Sequence, residues 1–170
     1  MNMPMKQAEV MGYRNAMLVL TATRSWVGAV MSQSCGRARS RFVGMWDDCF
    51  DQLGDPELAN IWGSFMRHLT IDGKATFMLG CSGCGRSSED ENILLSCLSA
   101  HQRGQKVEAC GKLERWFDGE ALWKADALAE AFADQMSLQG YVLPAGVEQH
   151  PSSGFYYRHG SSASTGRKLN

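Results

Sequence analysis

Apolar residues recur at helical spacing along most of the chain, and short intervals rich in Gly, Asp and Pro separate the runs. Val10, Met11, Met17, Leu18 and Leu20 predict a broad apolar helix face over residues 7–31, with Gly36 as its expected stop. Phe42, Val43, Trp46, Cys49, Phe50 and Leu53 predict a second helix over 40–53. Gly54, Asp55 and Pro56 then form a junction, because Asp caps a helix and Pro fits its first turn. Leu58, Ile61, Trp62, Phe65, Met66 and Leu69 supply the buried stripe of the third helix.

Asp72 and Gly73 mark a turn, after which residues 75–79 are expected to be a short extended segment. Ser88 followed by Glu91 has the form of a capping box, and Glu89 and Asp90 complement the positive end of the helix dipole. Ile93, Leu94, Cys97, Leu98 and His101 fall on one side of that helix, which Gly104 is placed to end. Two further helices are marked by Val107, Cys110, Leu113 and Phe117, and by Leu122, Leu128, Phe132 and Met136. Asp118 and Gly119 lie between them, and Gly140 and Pro144 close the regular structure.

The expected fold is an all-α irregular bundle of about six helices over residues 1–145, with a cysteine-containing turn or zinc knuckle in its middle. Ser and Gly dominate residues 152–166, so 146–170 reads as a flexible, disordered tail with too few apolar groups to offset the cost of ordering. Phe155, Tyr156, Tyr157, Arg158 and His159 interrupt this tract, either as a docking motif or as an incidental patch.

Composition narrows the setting. The 170 residues, 44% of them hydrophobic, suit one domain with a core of its own. Seventeen basic and eighteen acidic residues leave a net charge of -1, so no global field draws the chain to nucleic acid or an anionic membrane. No run is long and apolar enough to span a bilayer, and the N-terminus lacks the layout of a secretory signal. A cytoplasmic location is the expectation, with the six cysteines reduced.

Four of the candidate chemical groups converge in the pattern Cys81-x2-Cys84-x12-Cys97-x3-His101. Two thiolates backed by Gly83 and Gly85 can turn tightly onto one ion, and Cys97 and His101 lie one helical turn apart. Zinc is the ion such a set suits, since it accepts sulfur and nitrogen and brings no redox chemistry. The spacing resembles that of a zinc finger in which Cys replaces one His, with Leu94 at the place of the core leucine and Ser88 where such fingers bury an aromatic residue. Plain buried thiols, an iron–sulfur cluster that adds Cys110, or dithiol chemistry are the alternatives.

A closed four-ligand site points to a non-catalytic role, a metal-stabilised regulatory or adaptor protein that binds another protein. One rival is a nucleic-acid-binding regulator using Arg37, Arg39, Arg41, Arg103 and Lys106, with the first three expected in a loop. It is disfavoured because Glu89, Asp90 and Glu91 would repel phosphate. The other rival is a thiol or iron–sulfur redox protein. The chain shows no glycine-rich phosphate loop or nucleophile elbow, and His68, His150 and His159 have no partner identifiable from the sequence.

Overall fold

A computed structural model describes residues 3–80 and 86–145. They form α1 (Met3–Met31), α2 (Gly36–Leu53), α3 (Pro56–Asp72), α4 (Glu89–Gln102), α5 (Lys106–Leu113) and α6 (Gly119–Leu138), with no strand among the described residues. The all-α architecture with six helices is as expected. The tail, 146–170, lies outside the described residues.

Local chemistry sets several boundaries. Gly54 ends α2 with φ of 69°, a left-handed conformation that costs glycine little. Asp55 then caps α3, its carboxylate accepting from the Glu57 amide at 2.8 Å, with Pro56 in the first helical position. At α4 the Glu91 amide donates to Ser88 Oγ at 3.0 Å, and the Ser88 amide donates to Glu91 Oε2 at 2.8 Å, a complete capping box.

One expectation, with its consequence, needs correction. Gly36 opens α2 rather than stopping α1: the break falls at residues 32–35, where Cys35 is extended, and Gly36 takes no positive φ. Arg37, Arg39 and Arg41 therefore stand on the first turns of α2, not in a loop. Residues 75–79 pair with no strand. The stretch is instead held at Met78, whose amide donates to Asp90 Oδ2 at 2.7 Å and whose carbonyl accepts from Ser88 Oγ at 2.5 Å, and just before it at Lys74, whose amide donates to Trp116 O at 2.7 Å.

The buried residues form one cluster. α1 and α2 make an antiparallel hairpin that closes where Phe42 lies against Gly28, whose Cβ would meet the ring at 2.6 Å. The α1 face that enters the core is Ala16, Val19, Leu20 and Ala22, whereas Val10 and Met11 are exposed. Between α3 and α6, Trp62 stacks on Phe132 at 4.4 Å and on Phe65 at 5.0 Å. α4 is the central helix: Leu94, Leu95, Cys97, Leu98 and Ala100 are inaccessible, and so are Asp90 and Glu91. Residues 141–144 are stapled to the bundle by Asn15 and Gln102 side chains and by Ser99.

Candidate functional site

The sequence-predicted metal ligands divide into two groups. Cys97 and His101 sit on α4 and are buried, as their positions on its apolar face require. Cys81 and Cys84 lie outside the described residues. Their flanks, Gly80 and Arg86, meet at the start of α4, where a Cβ on Gly80 would touch Arg86 O and lie 2.6 Å from Glu91 Oε2. By helix rise, Cys97 and His101 stand roughly 9 and 15 Å further along the axis than Glu91. Among the described residues, no three His, Cys, Asp or Glu side chains converge to hold a metal.

His101 faces α6, its Nε2 3.2 Å from Asp126 Oδ1. Neither ring nitrogen makes a geometrically sound hydrogen bond, and Asp126 Oδ1 makes none either. Burial pushes the imidazole pKa down, against the pull of Asp126, Glu130 and Asp134. Burial pushes the Asp126 carboxyl up, partly offset by His101. The Cys97 thiol is held protonated first by burial and then by the charge of Asp126, and burial likewise raises the thiol pKa of Cys110.

The acidic first turn of α4 is not a surface feature. Glu91 is inaccessible and receives a two-bond fork from Arg24 of α1, at 2.6 and 2.8 Å. Asp90, also buried, forms an ion pair with Arg115, whose Nε lies 2.6 Å from Asp90 Oδ1. Two of the three carboxylates expected to repel phosphate are thus neutralised inside the protein. His68 has partners too: Nδ1 lies 2.7 Å from Asp72, Nε2 lies 2.8 Å from Ala121 O, and the ring stacks on Phe117 at 5.0 Å. The spacing of His68 and Asp72, four apart on a helix, carried half of that signal.

Sequence reasoning missed a cleft. Between the α1–α2 hairpin and α3 lies a concavity of about 440 Å³, with Trp26 and Ala29 from α1, Val43 and Trp46 from α2, and Ala59 and Gly63 from α3. Arg67 stands on its rim and is exposed. Trp46 packs on Phe50 at 4.6 Å and so divides this cleft from a second one beside Asp47, Asp51 and Asp55. The small residues of α3, four apart, form the floor. Their periodicity alone could not mark a cleft, because it depends on how far the hairpin stands from α3.

No family model matches the chain, nor does any curated protein or solved structure. No helix among the described residues is long and apolar enough to cross a membrane.

Proposed function

We propose that this protein is a metal-stabilised regulatory or adaptor protein that acts by binding another protein, with the cleft between the α1–α2 hairpin and α3 as its docking surface. The supporting observation is the cleft itself: aromatic walls from Trp26 and Trp46, a floor of Ala59 and Gly63, and the Arg67 guanidinium at the edge. This combination suits a partner segment that inserts one aromatic or aliphatic side chain and places a carboxylate beside Arg67. Selection from a displayed peptide library tests it. Enriched peptides should share an apolar anchor with a neighbouring Asp or Glu, and should lose binding to Arg67→Glu and to Gly63→Phe. Peptides bound equally well by both variants would refute the assignment.

The metal part of the reading assigns a structural zinc to Cys81, Cys84, Cys97 and His101. Its support is the ligand spacing, together with a buried His101 whose Nδ1 has no hydrogen-bond partner among the described residues. Elemental analysis of the wild type beside Cys97→Ala, His101→Ala and Cys110→Ala tests it. Folded, metal-free wild type refutes the zinc. Metal lost with Cys110→Ala and kept with His101→Ala indicates four thiols instead.

The nucleic-acid reading is less well supported. Arg103 is bonded to Gln105 and Ser99, and Lys106 to Glu130 at 2.5 Å, which engages two of its five basic residues within the fold.

A further inference from the structure

The charges of α2 run against its own dipole. Arg37 and Arg41 stand near the positive N-terminal end, and Asp47, Asp48 and Asp51 near the negative C-terminal end, with no acid in the first turn and no base in the last. Arg37 and Arg41 are also four apart, as are Asp47 and Asp51, so like charges face each other at both ends. All five are exposed, and none has an ion-pair partner among the described residues. Helix stability does not account for this arrangement.

The spacing supplies a reason. Arg37, Arg41, Gly44, Asp48 and Asp51 follow one another at intervals of four, three, four and three, which places them on one stripe. The stripe points away from Cys49 and Leu53, which are buried in the core, and from the wall of the cleft. It is also inverted in charge about its centre. Arg37 lies seven positions before Gly44 and Asp51 seven after it, while Arg41 lies three before, with Asp47 three and Asp48 four after. Gly44 is exposed, and a Cβ there would meet nothing within 4 Å.

We infer that α2 is a self-complementary docking surface, on which a second copy of this chain lays its own α2 antiparallel across a two-fold axis at Gly44. Arg37 then faces Asp51 of the other copy, and Arg41 faces its Asp47 and Asp48, in two equivalent sets. The absence of a side chain at Gly44 lets the two backbones approach at the crossing. Antiparallel pairing also sets the N-terminal end of each dipole beside the C-terminal end of the other. Exposed ion pairs are individually weak and screened by salt, so the dimer is weak and salt-sensitive. The surface is distinct from the cleft and does not depend on the docking role proposed for it.

Sedimentation velocity of the full chain tests the inference. Wild type should dimerise at low ionic strength and dissociate as sodium chloride is raised. Arg37→Asp/Arg41→Asp should be monomeric, and so should Asp47→Arg/Asp48→Arg/Asp51→Arg, because each makes its α2 stripe a single sign. Mixed in equal amounts, the two variants should form a one-to-one heterodimer, an outcome that no merely structural role of these exposed residues produces. Circular dichroism of each variant confirms that it is folded. In a Cys35→Ser background, Gly44→Cys should cross-link to itself under mild oxidation. Wild type that is monomeric at low salt up to high micromolar concentration overturns the inference, as does a mixture of charge variants that stays monomeric. Duplex DNA bound by monomeric wild type and lost with Arg37→Asp/Arg41→Asp would overturn it in favour of a polyanion site.

Discussion

Arg24 of α1 and Glu91 of α4, sixty-seven positions apart, meet in a bidentate fork whose acceptor is inaccessible to solvent. The same carboxylate accepts from the Ser88 amide, and Arg24 also donates to Arg86 O at 2.8 Å. One guanidinium thus ties the first helix to the start of the central one and to the chain leading into it.

Removing one partner strands the other. Arg24→Met should destabilise the protein by about 3–5 kcal/mol, read from urea unfolding, because it leaves the Glu91 carboxylate buried without its counter-charge. Adding Glu91→Gln should restore part of the loss, since Gln keeps the cap and carries no charge. A double variant less stable than Arg24→Met would show that the Glu91 charge is compensated by other groups.

Ser88→Ala should cost roughly 0.5–2 kcal/mol, the value of an N-cap. It should also loosen the stretch before it, because Ser88 Oγ is 2.5 Å from Met78 O. Limited proteolysis checks the second effect: new cleavage within residues 74–80 is expected in this variant and not in the wild type.

The cysteines should differ widely in reactivity. Cys35 is exposed, whereas the Cys49 thiol is pushed up to about 11 by burial and by Asp48, and Cys97 is raised further by burial and Asp126. Alkylation followed by mass spectrometry at neutral pH should label Cys35 first and Cys97 last among these three. Early labelling of Cys97 in the folded protein would contradict its burial.

In the metal-free protein the pH dependence of stability carries a His101 component. Its pKa is depressed by burial, so the unfolded chain takes up this proton first as the pH falls. The contribution is complete above the ordinary histidine value of about 6.5 and is lost below it. Asp126, raised by burial, acts in the opposite sense, its contribution present at acid pH and lost as the pH rises through its folded pKa. Unfolding of wild type and His101→Gln at pH 7.5 and 5.5 separates the two. The stability gap between them should narrow at pH 5.5, and a widening gap would mean that the charged pair dominates.

Residues whose partners lie within one turn were the readable ones. The Ser88 and Glu91 box, the Asp55 cap with Pro56, and the left-handed Gly104 all depend on neighbours no more than three positions away. The burial of Cys97 and His101 followed from helical periodicity. Asp90 and Glu91 were misread as surface charge because the arginines that receive them come from α1 and from beyond α5. Gly36 was misread as a stop because only the backbone angle, not the residue type, decides that role. The cleft was invisible for a related reason: its walls come from three helices, and only packing fixes the space between them.

α2 buries only Cys49, Phe50 and Leu53, all near its C-terminal end, whereas α4 is enclosed along most of its length. Amide protons of the two helices should therefore exchange with solvent by different routes. Those of residues 36–46 can escape by local fraying that leaves the core assembled, whereas those of α4 must await global unfolding. The first turns of α2 can come and go on a timescale of their own, and a partner that needs them straight and rigid would slow their exchange without touching that of α4.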